Sequence, residues 1–577
     1  MSLHPFRDIY SIDLRSLALF RIALSLLLIV DLWSRSTSLE AHYSDMGVLP
    51  RDVLMYVDSP WRISVHLFNG TWVFQALLFV IAALVAVALM IGYRSRLMTV
   101  LSWFLLLSLH NRNPLLLQAS DNLLLMLLFW SMFLPLGARY SMDMALAGVA
   151  KDHERGGERG GHALLTVASV AILLQVMLVY FFGALHQYGT EWIPDGTALY
   201  FAFHVDIFAT PLAIWLRHFP GLLQVLTYMV WVLELVGPIL VFIPVFTYYL
   251  RFVVISGLCA LQLGLLLCMD LGLHPWVGMT ALLLFIPAGF WRRAAQWFLA
   301  VEDFTVLYRD DLAGRRLAGL VQTVFFLQGE AEPREHLKTV IACVDKRGRM
   351  YSGKHALSRM VFRAWPLVPF NFVWRLPGVY PFLIKWVGSR SITVSVSDQV
   401  RPGMWQQAVA GLCFVYIFAF NVSTLPQSGL RLPAFFRPFH DALRLDQRWA
   451  IFAPYPMKDD GWHIIKGQLI DGSVVDVLAG RFDPPKWVKP TSVAAIYPDS
   501  RWRQYLIRLR YQAFYAQRVF YGRYVCHHWN RNRVVDRQLQ MFEMYYHYEM
   551  TGLPGQPMQT DVKLLWRHDC FARPKAG

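Results

Sequence analysis

The sequence predicts a polytopic α-helical membrane protein with about nine spans and two water-soluble modules in its second half. Three observations predict it. Hydrophobic residues make up 56% of the 577 and charged residues only 16%, against about 25% charged in ordinary soluble domains. Apolar runs recur at the roughly 20-residue length that a helix needs to cross a bilayer. Tryptophan (21), tyrosine (25) and phenylalanine (39) are abundant, and such rings favour the headgroup level.

The formal net charge of +15 does not point to nucleic acid, because no nucleic-acid-binding signature accompanies it. Basic residues instead flank the apolar runs and meet membrane lipid, the partner this pattern implies. The N-terminal segment has no cleavage pattern after Leu17 to Val30 and reads as a retained first span. No CxxC occurs among the six cysteines, so neither a zinc ribbon nor a dithiol site is written in the chain.

Taken in order, runs near spanning length fall at 16–33, 72–92, 164–185, 221–244, 250–269, 273–291 and 404–422. Two more lie between 95 and 137, split by His110-Asn-Arg-Asn-Pro114. The expected layout is a bundle over 1–291, a module over 292–403, a last span at 404–422 and a second module over 423–577. Arg94, Arg96, Arg139, Lys151, Arg155, Arg159, Arg251, Arg292 and Arg293 fall on one side of a nine-span count. The positive-inside rule then puts the N-terminus and 292–403 in the cytoplasm of an inner-membrane protein, and everything after about 423 outside.

Within 292–403, short strands are expected at Phe304–Tyr308 and Lys338–Val344, with helix from Lys354 to about Val387. This is a small α/β module. Within 423–577, His463–Leu469 and Ser473–Leu478 flank Asp471-Gly472 as a hairpin. Arg501–Trp529 reads as one long amphipathic helix and Met541–Met550 as a strand. This α+β module holds 22 Lys/Arg and 13 Asp/Glu, a difference of +9. Cys526 and Cys570 fall in it, on the side where disulfides can persist, and are candidates to pair. Cys526-His527-His528 reads as structural, since adjacent side chains rarely converge on one ion.

Polar residues at membrane depth face a bundle interior or a wet cavity. His186, Gln187, Glu191 and Glu234 are the candidate catalytic residues. Gln187 and Glu191 are four apart and would share a helical face lining one cavity; Glu191 reads equally as a solvated anchor at the headgroups. Glu234, among apolar neighbours, must be protonated or paired. It serves either catalysis or the backbone groups that Pro238 frees. His110, Asp121, Asn122, His204 and Asp206 are further cavity-lining candidates, with His110 equally a cap.

His110-Asn-Arg-Asn-Pro114, Phe133-Leu-Pro-Leu-Gly-Ala-Arg-Tyr-Ser141, Tyr180–Gly196 and Phe208-Ala-Thr-Pro211, with Gln447–Pro454 and Asp460-Gly-Trp462, together resemble the HTTM family. These are bacterial membrane relatives of vitamin K-dependent γ-glutamyl carboxylase. The resemblance implies a lipid-facing cavity that binds a quinone or another apolar molecule and acts on an exported peptide or protein. In the carboxylase a lysine deprotonates vitamin K hydroquinone; it aligns with Gln187, beside His186, and a second catalytic histidine falls near Asn122. A glutamine takes no proton, so any enzyme here would be carboxylase-like with a changed mechanism, and hydroquinone-dependent carboxylation is not expected. The alternative is a non-catalytic maturation or assembly factor for a secreted partner. Phe304–Tyr308, Val344–Tyr351 and Ala356-Leu357 resemble a DCC-type, thioredoxin-like domain. That family's two cysteines fall at Leu312 and Arg315, so the insert is expected to lack thiol chemistry.

Overall fold

The computed structural model describes residues 4–57, 59–147, 163–291, 293, 305–324, 331–334, 337–345, 348–361, 376, 378–388, 403–553 and 555–571. Six of its helices are long and apolar enough to cross a membrane. They are α1 (Leu14–Ser36), α2 (Trp72–Ile91), α6 (Val167–His186), α8 (Pro220–Leu240), α9 (Thr247–Cys268) and α14 (Met404–Ser423).

Three of the nine apolar runs form helices that fall short of that standard. They are α3 (Ser95–Arg112), α4 (Ala119–Ser131) and α10 (His274–Leu282). Polar residues dilute α3: Ser95, Thr99, Ser102, Ser108 and His110 all lie buried on it. At 1.5 Å per residue, α4 covers only about 20 Å, short of the roughly 30 Å hydrocarbon layer. Its residues from Leu123 to Trp130 are instead buried in the main apolar core, where α4 packs against α3, α6 and α10.

Local signals set the ends of these helices. Asp13 caps α1 by accepting from the Arg15 backbone N–H at 2.8 Å. Thr166 and Ser169 form a reciprocal capping box at the start of α6. Gly92, at φ +73°, ends α2 in the left-handed region that glycine enters without strain.

The short helix α5 (Met142–Ala147) leads towards the first module, in which β1 (Thr305–Tyr308), α11 (Leu312–Val324), β2 (Ala331–Pro333), β3 (Ile341–Val344) and β4 (Met350–Ser352) build a four-stranded sheet. Its order is β2-β1-β3-β4, with β1 and β2 parallel and the other pairs antiparallel. Ala145 joins the core of this module. The expected helix after Lys354 is seen as α12 (Lys354–Val361) and α13 (Val379–Gly388); Phe304, Arg292 and most of 362–377 lie outside the described residues. Leu312 opens α11, and the Arg315 guanidinium pairs with Asp310 at 2.7 Å. Cys343 is buried in β3 as a free thiol.

The C-terminal module has a second sheet, of β5 (Asp459–Leu469), β6 (Val474–Asp476), β7 (Leu539–Met550) and β8 (Gln559–Asp569), in the antiparallel order β8-β7-β5-β6. The span Arg501–Trp529 is not one helix but two, α15 (Ser500–Arg510) and α16 (Tyr515–Asn530). Arg518 explains the break. Its guanidinium donates to the Leu509, Arg510 and Leu565 carbonyls at 2.8, 3.1 and 2.5 Å. The last turn of α15 thus has its orphan acceptors satisfied from outside, and the chain turns back along the sheet.

Helix α15 docks on the bundle. Arg501 pairs with Asp31 at 2.8 Å and with Asp121. Arg35 holds the same two carboxylates at 2.7 and 2.6 Å, and its third contact is the Tyr43 hydroxyl at 2.9 Å. All four charged side chains are at most 4% exposed. Truncating one member leaves a buried carboxylate short of its counter-charge, a change that costs about 3–5 kcal/mol. Arg501→Ala should therefore lower the thermal unfolding midpoint of the detergent-purified protein markedly. Arg501→Lys should not restore it, because an ammonium lacks the planar fork that spans two carboxylates. Tryptophan fluorescence on heating checks this; a midpoint within a degree of the parent for Arg501→Ala would refute it.

Candidate functional site

The C-terminal end of α6 sets the site. The helix stops at His186, and Gln187 leaves it with φ −85° and ψ 60°. Gln187 and Glu191 therefore do not share a helical face. The Gln187 amide instead donates to Glu234 Oε2 on α8 at 3.0 Å. Seven residues earlier on α6, the Tyr180 hydroxyl accepts from Gln262 Nε2 on α9 at 2.9 Å. Gly278 on α10 makes room for this pair, since a Cβ there would lie 2.5 Å from the Gln262 amide.

These groups line one cavity, of about 870 Å³ counted out to its mouth. Its remaining wall is mostly apolar, with Val176, Leu265, Trp449, Ile451 and Phe452 among its residues. The last three come from the segment after α14. Trp192 fastens that segment by donating to the Phe452 carbonyl at 3.1 Å, and Gln447 fastens it through Gln175 at 2.9 Å. Three polar atoms on the wall have no hydrogen-bond partner although they are buried: Gln187 Oε1, Gln262 Oε1 and His274 Nδ1. Pro238 lacks the N–H that would bond the Glu234 carbonyl four residues back, which leaves a further acceptor beside this site.

The other candidates lie elsewhere. His186 points to the end of α14: Nδ1 donates to the Phe182 carbonyl at 2.6 Å and Nε2 lies 3.2 Å from the Thr424 hydroxyl. Both nitrogens are thus occupied outside the cavity. Glu191 pairs with Lys458, whose ammonium also lies 5.0 Å from the centre of the Phe201 ring. Asp121 belongs to the ion network, and His110 sits beside it with Nε2 3.8 Å from Asp121 Oδ1. Asn122 is half-buried on α4 and does not line the cavity. Cys526 and Cys570 form a disulfide, with their Cα atoms 5.4 Å apart.

His204 ends the short helix α7 (Ala198–His204), and Asp206 follows it. His204 donates to the Tyr200 carbonyl at 2.7 Å, and burial lowers its pKa. Asp206, Asp460 and Glu549 bring oxygens within 4.8 Å of one another. Three carboxylates so placed suit a cation, but the chain supplies its own. The Lys489 ammonium is 2.5 Å from Asp206 and bonded to Glu549, and Arg217 is 2.5 Å from Asp206. No local signal in the sequence joins these residues, which come from three separated segments.

Comparison of the chain with protein-family models, with curated proteins and with solved structures finds no match.

Asp460 is the group in this cluster with a checkable pH signature. Burial, helped by the Asp206 carboxylate, pushes its carboxyl up to about 7. Its Oδ2 accepts from the Asp206 backbone N–H, and its Oδ1 has no partner. The folded state then binds a proton that the unfolded state releases near 4, so this residue's contribution to stability falls as pH rises towards 7. Asp460→Asn removes the ionisation. Its unfolding midpoint should exceed the parent's at pH 8, with a gap that grows from pH 4 to 7 and then levels off. A pH-independent gap would show that Asp460 stays ionised in the fold.

Proposed function

We propose that the chain is a carboxylase-like membrane protein of HTTM type whose cavity binds an apolar ring-bearing molecule such as a quinone and acts on an exported peptide or protein. The observation that carries this reading is the set of buried, unpartnered polar atoms in an otherwise apolar cavity. An unpaired buried amide oxygen costs about 1–3 kcal/mol, and a ligand that donates to it recovers that energy. Gln187 and Gln262 present amide oxygens, which fit the O–H groups of a reduced ring, and His274 presents a nitrogen that donates or accepts according to its tautomer. A quinone bound there would supply redox and proton chemistry at its ring oxygens. The chain's own part is to orient the ring, exclude water and hold a proton at Glu234, the one carboxyl lining the cavity among the described residues.

The same geometry explains why hydroquinone-dependent carboxylation is not expected. Gln187 has no proton-accepting pKa, and its amide is already committed to Glu234. Restoring a lysine does not suffice either, because Glu234, 3.0 Å from that amide, would form an ion pair with it. Organic extracts of the detergent-purified protein should contain a stoichiometric quinone-like lipid by mass spectrometry. Gln262→Leu should reduce its occupancy several-fold, and neither the parent nor Gln187→Lys should carboxylate glutamate. An extract with only bulk phospholipid would sink the ligand reading. Carboxylation by the parent would sink the changed mechanism.

The arrangement in the membrane belongs to this proposal. Counting α3, α4 and α10 as short crossings beside the six long helices gives nine passes. The N-terminus and the insert then lie inside and the C-terminal module outside. The order β2-β1-β3-β4, with its one parallel pair, supports a thioredoxin-like insert of DCC type, and Leu312, Arg315 and the lone buried Cys343 support its lack of thiol chemistry. Reporters fused at Lys354 and after Gly577 should read opposite sides of the membrane. The same side for both would require an even number of passes between them.

A further inference from the structure

The walls of the cavity are unequal. Helices α6, α8, α9 and α10 supply most of the lining, and their backbones are bonded internally. Trp449, Ile451 and Phe452 belong instead to residues 445–458, which form neither helix nor strand and run from the bundle to β5. Such a strap keeps its place through the contacts made to it, and it is the wall most easily opened. At its start, Gln447 is anchored to Gln175. Its later contacts gather on one short stretch, the turn from Tyr188 to Trp192 that follows Gln187. The Gly189 N–H donates to the Pro454 carbonyl at 3.0 Å. The Trp192 indole donates to the Phe452 carbonyl, and Glu191 pairs with the Lys458 ammonium. A Cβ on residue 189 would lie 2.8 Å from the Pro454 carbonyl oxygen and 3.0 Å from the Tyr455 Cβ, so glycine is what lets the strap lie on the turn.

Two features mark the strap as able to leave. Phe452 is held at φ +54°, in the left-handed region, where a side chain crowds its own backbone. That strain is released when the strap relaxes. The ion pair at the far end is within reach of water: the Lys458 side chain is 37% exposed, against 10% for Glu191. The ammonium also lies 5.0 Å from the centre of the Phe201 ring and 5.4 Å from that of Tyr455. A pair that water reaches breaks and re-forms at far smaller cost than a buried one. The strap thus joins a strained centre to a fastening that can open.

We propose that this strap is the gate of the cavity on the side of the C-terminal module, and that Glu191 and Lys458 are its latch. With the latch closed, Trp449, Ile451 and Phe452 complete the wall. When the pair separates, the strap lifts from the turn, Phe452 relaxes, and water-soluble molecules reach the cavity. The role of a gate rests on the cavity being a ligand site, but its opening can be read with no ligand at all.

The test places a thiol on the buried cavity wall with Ala202→Cys, in the full chain in nanodiscs of neutral lipid. A small charged methanethiosulfonate is the probe, and peptide mass spectrometry reads its addition at position 202. Cys343, buried in the insert, reports general loosening in the same samples. Added to Ala202→Cys, either Glu191→Gln or Lys458→Gln should speed modification at 202 by about fivefold or more, as loss of an ion pair does. Glu191→Lys/Lys458→Glu restores the pair in reverse and should be at least about threefold slower than either single change, because the two positions are coupled. Gly189→Ala should speed modification with the latch residues intact, since its Cβ pushes the strap off the turn. Cys343 should keep its rate throughout. Unchanged rates in the single variants, no recovery in the reversed pair, or equal acceleration at Cys343 would each overturn the proposal. The expected pattern in a protein that carries no quinone-like lipid would sink the ligand and leave the gate standing.

Discussion

Asp31, Arg35, Asp121 and Arg501 form the contact on which the rest of the arrangement depends. Two carboxylates and two guanidinium groups balance in charge, and each aspartate is held by both arginines. Isolated, any one of them would be intolerable at that depth. Together they are satisfied only when α1, α4 and α15 come together, although Arg501 stands 470 residues from Asp31. A buried network of this kind adds little net stability over apolar packing, but it penalises every other register severely. It therefore acts as a key that admits one docking of the C-terminal module onto the bundle.

The turn at His110-Asn-Arg-Asn-Pro114 extends the same logic. Arg112 donates to the Leu49 and Ser44 carbonyls at 2.8 and 3.0 Å, and Asn113 to the His42 carbonyl at 2.9 Å. Asn111 donates to the Ile63 carbonyl at 2.9 Å and accepts from Arg444 at 2.6 Å. Arg508 then reaches the Pro114 and Leu117 carbonyls, both at 2.7 Å. Irregular backbone between helices leaves carbonyls that need donors. Here long side chains from the turn and from the C-terminal module supply them. The motif is a scaffold, in which Asn111, Arg112 and Asn113 donate to backbone carbonyls.

That division explains what was legible in the sequence. The long helices show in runs of apolar residues, and the hairpin shows in Asp471-Gly472 between alternating strands. Polar residues at membrane depth mark where something must be satisfied, which is why Gln187, Glu234, His110 and Asp121 stand out. What each one satisfies is a long-range matter. Asp121 waits for an arginine 380 residues away, and Asp206 for Lys489. The pairing of Gln187 with Glu191 fails for a local reason, because α6 ends at His186, before either residue of the pair. The break between α15 and α16 carries no glycine or proline to announce it, since its cause is the Arg518 side chain.

The position of the cavity follows from these constraints. The segment after α14 delivers Trp449, Ile451 and Phe452 to the ends of α6, α8 and α9, and the docking key fixes where the module that follows must sit. The cavity wall is thus shared between the bundle and the chain leading into the C-terminal module. Glu234 sits on the bundle side of it, next to the carbonyl that Pro238 leaves free. A helix that gives up a backbone hydrogen bond beside its only cavity-facing carboxyl forgoes stability there, and such local exceptions to good packing are where function is to be sought.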